Sequence, residues 1–411
     1  MCLLFWCNRG LTQEVMCGLD ASLRGDQHLS EEQIRNIEEI EDFTQQWIYE
    51  NQSRVGLREI ITIPVVVHVL YTDESENFSD FEIQAQIDGL SADFRKMNEN
   101  ISTVPAVFQS LVADTEVEFC LASIDPDGKD TNGIVRKNTN QAGIGTLRVS
   151  GRRAICYDTY GGSDAWDQDK YINIWVGQMA GQPIGEATMP GQVPFLEEDG
   201  IIIDPVAFGF FCSTVNGFYL GRTLTHEMGH FLNLYHLWGE GGCNGTDFVE
   251  DTPVQMKAYS GCPMHPQVSC GTEDMFMNFM NYVDDNCLAM FTEGQKMRML
   301  ATLDENGIRG SLRNSNRCDL VTNPIDITLT KDDISIFPNP ASDCIHIDLD
   351  IDNDLPVRMF IFNTMGQTVY SAEVFVKDLR TFDISHYSNG IYFISFETND
   401  QIASTKLIID K

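Results

Sequence analysis

Basic residues are scarce in this chain. Its 411 residues include 27 lysines and arginines against 61 aspartates and glutamates, which gives a formal net charge of −34 at pH 7. Such a charge repels phosphate backbones and anionic lipid surfaces, so we expect no binding to nucleic acid. The acidic excess leaves two explanations open: a soluble acidic surface, or calcium sites built from carboxylate oxygens.

The chain also lacks a long hydrophobic run. No segment approaches the ~20 apolar residues that a helix needs to cross a bilayer, so we expect no membrane span. The apolar start, residues 1–7, has no basic segment before it and is shorter than an ordinary signal-peptide core. We interpret it as the remnant of a signal peptide that begins upstream.

Cysteine, by contrast, is plentiful. The chain has 12 cysteines, and four of them lie close together in the sequence: Cys243, Cys262, Cys270 and Cys287. So many cysteines are unusual in a reducing cytosol and favour an oxidising, extracytoplasmic compartment. Four cysteines allow three pairings, and the sequence alone does not choose among them.

Changes in sequence character predict three regions. Residues 1–54 end in a polar, helix-prone stretch and are interpreted as the signal remnant and a propeptide. Residues 55–325 begin with an apolar strand and then alternate helical and strand patterns, which predicts a mixed α/β domain. Residues 331–411 alternate short apolar runs with turn residues, a pattern typical of a small all-β sandwich.

The segment 225–236 contains the motif HExxH, which is typical of a zinc site. On a helix, His226 and His230 lie one turn apart and can bind the same ion, while Glu227 can take a proton from a metal-activated water. The opposite face of this helix is an apolar stripe made of Leu220, Leu224, Met228 and Phe231. His236 supplies the third ligand if the helix ends after Leu232 and the chain turns at Asn233, because Asn tolerates the left-handed conformation. The alternative is a core helix with three unrelated histidines.

The extended motif resembles the metzincin pattern HExxHxxGxxH, with Asn233 at the family's glycine, and is most similar to the pappalysin or cytophagalysin family. The resemblance implies a twisted mixed sheet, an active-site helix and an irregular lower subdomain with disulfides. Residues 278–282 resemble the Met-turn of the clan. By that resemblance, Met280 forms the apolar floor beneath the zinc and Tyr282 donates a hydrogen bond to the oxyanion.

The same resemblance gives further expectations for the loop after the helix. It implies disulfides between Cys243 and Cys270 and between Cys262 and Cys287. It also implies a calcium site, with a solvated acidic loop as the alternative; the candidate ligands are Asp247, Glu250, Asp251 and Thr252.

Three other segments resemble functional parts of the family. Residues 185–190, with 199–203, resemble the rim strand that pairs with an extended peptide substrate. Cys17 resembles the propeptide cysteine that blocks the zinc of a zymogen, to be released by cleavage near Arg54. Relatives that cleave next to arginine use an aspartate just before the cysteine that follows the Met-turn. Here that position is Asn286, with Asp284 and Asp285 beside it, so arginine preference is left as a hypothesis.

The carboxy-terminal region resembles the type A sorting domain of type IX secretion, in residues 336–343, 363–369, 384–392 and 405–411. This implies recognition by a secretion machinery and export from a Gram-negative bacterium of the Bacteroidetes type. The alternative is a carbohydrate- or protein-binding sandwich. For the whole chain we predict a secreted zinc endopeptidase of protein substrates; the alternatives are a catalytically silent zinc-containing adhesin and a zinc hydrolase of a non-peptide bond.

Overall fold

The structure is a computed structural model. It describes residues 30–52, then 60–318 without 79, 182, 210–216, 219 and 240, and then 330–411 without 350–355, 376–381, 385–386 and 398–401. The described residues belong to two compact units, one within residues 1–320 and the other within residues 321–411. Cys17 and the expected cleavage site near Arg54 lie outside the described residues.

The first unit contains helices and short strands in alternation. Its described helices are α1 (Glu31–Asn51), α2 (Asp80–Phe94), α3 (Arg222–Phe231), α4 (Glu293–Thr302) and α5 (Gly310–Arg313). Its described strands are β1 (Ile61–Tyr71), β2 (Val117–Leu121), β3 (Ile134–Asn138), β4 (Arg148–Val149), β5 (Arg152–Arg153), β6 (Ile172–Gly177), β7 (Gly185–Ala187), β8 (Ile201–Ile203), β9 (Val268–Ser269) and β10 (Thr272–Glu273).

A six-stranded sheet forms the centre of this unit. Its order is β2-β1-β6-β8-β7, and β3 also pairs with β1. All pairings are parallel except that of β7, which runs antiparallel to β8 at one edge. Residues 63–70 of β1 are all buried, as expected for a strand covered on both faces. The predicted mixed α/β architecture is confirmed.

Helix α2 packs its apolar face on this sheet. Ile83, Ile87, Leu90 and Phe94 repeat at helical spacing and are fully buried. The ring of Phe94 meets that of Phe119 in β2 edge to face, with centroids 5.0 Å apart. Helix α3 lies next to α2, β7 and β8, and every one of its residues is buried. The HExxH motif therefore lies inside the unit, beneath the edge of the sheet.

His68 belongs to the core of the sheet. Its Nδ1 lies 2.8 Å from Ser163 Oγ and its Nε2 lies 3.1 Å from Asn173 Oδ1. Asn173 Oδ1 also accepts the backbone N–H of Trp166, so it is an acceptor and His68 donates to it from Nε2. Burial lowers the pKa of His68 to about 4. The side chain is therefore neutral at physiological pH and its hydrogen bonds are satisfied.

The segment between α3 and α4 is irregular and carries disulfides. Cys243 is bonded to Cys270, and Cys262 to Cys287, which are the pairs that the family resemblance implies. A third bond, between Cys120 and Cys318, joins β2 to the end of the unit. Two disulfides and the short β9–β10 pair constrain this part of the chain.

The second unit is all-β. Its strands are β11 (Ile334–Phe337), β12 (Cys344–Leu349), β13 (Pro356–Asn363), β14 (Thr368–Phe375), β15 (Phe382–Asp383), β16 (Gly390–Glu397) and β17 (Ile402–Ile409). They form a three-stranded sheet, β11-β12-β15, and a four-stranded sheet, β14-β13-β16-β17, both antiparallel. One core, which includes Ile345, Ile361 and Phe396, joins the two sheets. The predicted sandwich is confirmed. Among the described residues, no helix is long and apolar enough to cross a bilayer.

Candidate metal centre and active site

Helix α3 begins at Arg222, two residues after Leu220, the first residue of the apolar stripe. Its N-cap is Gly221, with φ +65°. A Cβ at this position would lie 2.1 Å from the side-chain oxygen of Gln86 in α2, so only glycine fits. Leu220 therefore precedes the helix, and its assignment to the stripe was wrong. Leu224, Met228 and Phe231 keep the packing role expected of them, since all three are buried.

The helix ends where the sequence predicts. Leu232 is its C-cap and Asn233 follows with φ +71°, in the left-handed region. The N–H of Leu234 bonds to the carbonyl of Gly229 at 2.9 Å, which closes the turn. The chain then reverses and returns His236 to the open face of the helix.

The three histidines of the motif meet at one point. Their Nε2 atoms lie 3.1, 3.1 and 3.2 Å from one another, and all three side chains are buried. Among the described residues, this is the one group of three metal-ligating side chains whose ligand atoms lie within 4.8 Å of one another. Zinc ligated tetrahedrally by nitrogens at about 2.0–2.1 Å would hold them roughly 3.3 Å apart. The spacing of the triad therefore fits zinc.

The tautomers of two of the three histidines are fixed by backbone carbonyls. His226 Nδ1 lies 2.7 Å from the carbonyl oxygen of Phe279, and His230 Nδ1 lies 2.7 Å from that of Leu234. A carbonyl only accepts, so each Nδ1 carries the proton and each Nε2 presents a lone pair. Burial, with the nearby His236 and His226, lowers the pKa of His230 well below its usual value, which also favours the neutral form. Lone pairs that face one another at 3.1 Å call for a cation between them.

Glu227 lies between the histidine triad and the edge strand. It follows His226 in α3 and is fully buried. A Cβ on Gly185 of β7 would come within 2.8 Å of Glu227 Oε1 and 2.9 Å of its Cγ. The backbone of β7 is therefore in direct contact with the carboxylate, and a side chain at 185 would displace it. Among the described residues, β7 pairs with β8 alone.

Met280 lies against the underside of α3, as the Met-turn resemblance implies. A Cβ on Gly229 would lie only 2.4 Å from Met280 Sδ, so the thioether occupies the space that a side chain between the two helix histidines would need. Asn278 stabilises the turn by accepting the N–H of Met280 at 2.9 Å. The preceding residue, Phe279, supplies the carbonyl that orients His226.

Tyr282 contacts the third histidine, His236. Its hydroxyl lies 3.1 Å from His236 Nε2, and its side chain is buried. Trp238 stacks on the His236 ring, with centroids 4.4 Å apart and planes inclined by 10°. Sequence reasoning missed Trp238, although an aromatic residue two positions after a ligand is a usable signal. The two aromatic side chains restrict how His236 can move.

A small cavity lies beside the triad and is lined by Glu227 and Tyr282, among others. Of the three candidate specificity residues, Asp285 lines this cavity. Asp285 Oδ2 accepts the backbone N–H of Leu220 at 2.8 Å, and burial raises the pKa of Asp285 to about 6. Neither Asp284 nor Asn286 belongs to this lining; Asn286 is exposed. The structure therefore brings one of the three candidates to the active site.

The carboxylates of the acidic loop after the triad do not converge on one point. Asp247 accepts the hydroxyl of Thr252 at 2.7 Å, and burial raises the pKa of Asp247 to about 6. Asp251 instead accepts Thr292 Oγ1 at 2.7 Å and the N–H of Gly294 at 2.9 Å, at the start of α4. Glu250 is exposed. The calcium site stays a prediction, and the structure gives Asp251 a capping role that the sequence did not suggest.

Comparison with known proteins gives the family. Residues 157–304 match the family described as pregnancy-associated plasma protein-A, and residues 335–410 match the secretion system C-terminal sorting domain. An extracellular metalloprotease of Pyricularia oryzae is 47% identical over 261 residues, which cover 61% of this chain and 77% of that protein. The chain belongs to the pregnancy-associated plasma protein-A (pappalysin) family. The resemblance noted from the motifs is thereby confirmed.

Solved structures of this fold are similar as well. Mature mirolysin of Tannerella forsythia in complex with a cleaved peptide is 38% identical, with a TM-score of 0.59 over 63% of this chain and 97% of that one. A promirolysin mutant of the same organism is 35% identical, with a TM-score of 0.59 over 72% of this chain and 97% of that one. As a member of the pappalysin family, this chain is a metalloendopeptidase, a hydrolase, and it carries a sorting domain for export to the cell surface or beyond.

Proposed function

We propose that this chain is a zinc-dependent endopeptidase in which His226, His230 and His236 hold the metal and Glu227 is the general base. One observation carries the proposal. The three Nε2 atoms converge within 3.1–3.2 Å while the Nδ1 protons of His226 and His230 are committed to carbonyls. Neutral imidazole nitrogens arranged in this way are ligands for zinc.

Each catalytic step is assigned to a residue of the chain. Zinc, when bound, acidifies a water molecule and polarises the carbonyl of the peptide bond. Glu227 takes a proton from the water as its oxygen adds to the carbonyl carbon. The same carboxylic acid then gives that proton to the amine nitrogen as the carbon–nitrogen bond breaks. Tyr282 donates a hydrogen bond to the oxyanion, a contribution of about 3–4 kcal/mol for one well-placed donor.

The substrate is proposed to bind in extended form along β7. An edge strand offers backbone N–H and C=O groups to a peptide, which then extends the sheet. The contact between Gly185 and Glu227 supports this assignment, because a peptide paired with β7 passes next to the base. The complex of mature mirolysin with a cleaved peptide also supports binding of a peptide at this family's site.

Asp285 is proposed to favour a basic side chain in the adjacent cavity. Its Oδ2 accepts the backbone N–H groups of Leu220 and Arg222, and the residue lines the same cavity as Glu227. Above its pKa of about 6 the carboxylate is charged and attracts the guanidinium of arginine. In a peptide library, the wild type should cleave next to arginine more often than Asp285→Asn does. Equal basic bias in the two proteins, or no basic bias in the wild type, would reject this assignment.

Further functions are proposed for the parts that the sequence singled out. Residues 1–54 are proposed to be a propeptide in which Cys17 blocks the metal until cleavage near Arg54. The larger share of this chain that matches promirolysin, 72% against 63% for the mature form, supports a proenzyme. The catalytic domain is assigned to residues 55–325 and the sorting domain to 331–411, in a bacterium of the Bacteroidetes type. A calcium ion at Asp247 remains part of this proposal.

The deciding experiment compares the zinc-loaded full chain with Glu227→Gln, each after limited proteolysis has removed residues 1–54, because the proposed Cys17 block keeps the uncut chain latent. The wild type should contain one zinc per chain and hydrolyse casein, and chelation should abolish the hydrolysis. Glu227→Gln should keep its zinc, measured by mass spectrometry, and lose hydrolysis, because the amide preserves the packing against Gly185 but cannot accept the proton. Zinc-loaded wild type that cleaves no protein would refute the proposal and favour the adhesin.

A further inference from the structure

Helix α1 is docked on the catalytic unit beside the end of α3. Ser30 and Gln33 form a capping box that begins the helix. The amide of Gln33 also donates to the backbone carbonyl of Gln192 at 2.6 Å. Two turns further along, Ile40 lies so close to Gly191 that a Cβ on the glycine would come within 2.9 Å of Ile40 Cδ1. Both contacts hold the helix against the segment that follows β7.

The strongest contact of α1 is with Arg298 of α4. Glu41 accepts two parallel hydrogen bonds, from Nη1 to Oε1 and from Nη2 to Oε2, each 2.9 Å long. The side chain of Arg298 is fully buried and that of Glu41 is 20% exposed. Burial opposes ionisation of Glu41, but the hydrogen bonds and charge of Arg298 outweigh it and lower the pKa of Glu41. A guanidinium buried this deeply needs its carboxylate partner.

Arg298 also contacts the turn that follows α3. Its Nε and Nη2 both donate to the carbonyl oxygen of Asn233, each at 3.2 Å. The guanidinium also lies 5.7 Å from the ring centroids of both Tyr235 and Phe248. Helix α1 reaches the same turn a second time, because Asn233 Nδ2 donates to Thr44 Oγ1 at 3.3 Å. Thr44 of α1 thus contacts Asn233 directly, and Glu41 of α1 contacts it through Arg298.

That turn supports two of the three histidines. The carbonyl of Leu234, the residue after Asn233, holds Nδ1 of His230 at 2.7 Å. His236 follows Tyr235 directly, so the position of its ring depends on the same few residues. Removing a group that orients a metal ligand typically lowers the metal affinity 10–100-fold.

We propose that α1 positions the metal ligands: through Arg298, Glu41 fixes residues 233–235, which orient His230 and carry His236. Glu41 and Arg298 are positioning residues, and the inference rests on the proposed zinc site. The metal is then held most tightly while α1 is docked, so loading with zinc precedes any removal of the helix.

The test uses the full chain in the Glu227→Ala background, so that self-cleavage cannot detach α1. Glu41→Gln is compared with Glu116→Gln. Glu116 forms the matched ion pair with Lys296 on the same helix, α4, also at 2.9 Å. Transfer of zinc to an excess of a chromogenic chelator is timed, and the visible spectrum of the cobalt-substituted protein is recorded. Glu41→Gln should release zinc about 10-fold faster and alter the cobalt spectrum, whereas Glu116→Gln should stay within about twofold.

Two outcomes would overturn the proposal: release from Glu41→Gln at the parent rate, or equal acceleration in both variants. The unfolding temperature of the metal-free proteins separates general loosening from an effect on the ligands. Thr44→Val, which keeps the ion pair, should accelerate release by less than Glu41→Gln does, and it remains informative if Glu41→Gln does not fold. A parent chain that binds no zinc would refute the zinc site itself, whatever the variants do.

Discussion

Replacing Asn233 tests whether its left-handed turn is needed to bring His236 to the other two histidines. Its φ of +71° is in the region that costs an ordinary L-residue about 1–2 kcal/mol. Its Nδ2 also donates a buried hydrogen bond to Thr44 Oγ1 at 3.3 Å, with a net value of about 1 kcal/mol. Asn233→Ala loses the hydrogen bond and pays the conformational cost, whereas Asn233→Gly loses the hydrogen bond and relieves the backbone. We expect the alanine variant to be about 2 kcal/mol less stable than the parent and the glycine variant to be within about 1 kcal/mol of it.

The assay is urea unfolding followed by tryptophan fluorescence, with disulfides intact and in the Glu227→Ala background. Alanine and glycine variants of equal stability would refute the claim that a left-handed residue is required at 233. A double-mutant cycle of Asn233→Ala with Thr44→Val isolates the hydrogen bond, and we expect a coupling free energy of about 1 kcal/mol. A coupling near zero would mean that the 3.3 Å contact contributes nothing to stability.

Three further predictions follow from the site and its surroundings. Tyr282→Phe should lower kcat by about 100- to 1,000-fold, because the hydroxyl is assigned to the oxyanion, while zinc content and KM stay nearly unchanged, because the ring that packs against His236 is kept; an unchanged kcat would remove Tyr282 from the mechanism. The folded-state pKa of His68 is about 4 and its usual value is 6.5, so the unfolded chain takes up the proton first. The stabilisation that neutral, buried His68 gives the folded state is complete above pH 6.5. It is lost as the pH falls toward 4, and about 2 kcal/mol of it is lost by pH 5. Between pH 8 and pH 5, the unfolding free energy of the wild type should therefore fall by about 2 kcal/mol more than that of His68→Gln. Equal pH dependence of the two proteins would contradict this prediction. Asp251→Ala should destabilise the unit by about 1–2 kcal/mol, because α4 loses two acceptors at its start. If added calcium protects the wild type but not Asp251→Ala against heat, the carboxylate has a metal-binding role instead.

Local patterns predicted the elements that bury a continuous face. The spacing of Ile83, Ile87 and Leu90 predicted α2, and the apolar run after Ile60 predicted β1, because each signal lies within a few residues of the chain. The turn at Asn233 was predictable for the same reason. Its helix ends within the motif, and left-handed asparagine is a property of that one residue.

Features that depend on distant partners could not be predicted. The requirement for glycine at 221 comes from Gln86, which is 135 residues away in sequence. The carbonyls of Phe279 and Leu234 orient His226 and His230, but a backbone carbonyl leaves no mark on the sequence. The contacts of Asp251 with Thr292 and Gly294, about 40 residues further along the chain, could not be foreseen from the acidic loop either.

The disulfide between Cys120 and Cys318 affects how processed forms of the protein will behave. It joins residues 198 positions apart and so encloses the active-site helix, the metal ligands and the irregular loop in one covalent ring. Closing a ring of this size restricts the unfolded chain by about 5 kcal/mol in the loop-entropy model. A protease that cuts inside the ring leaves both fragments attached, and they separate on a gel only after reduction. A cut before the ring or after it, by contrast, releases the flanking segment at once, unless another bond retains it. Enzyme cut only inside the ring will therefore co-migrate with intact enzyme without reductant, and only reduced samples will reveal such internal cuts.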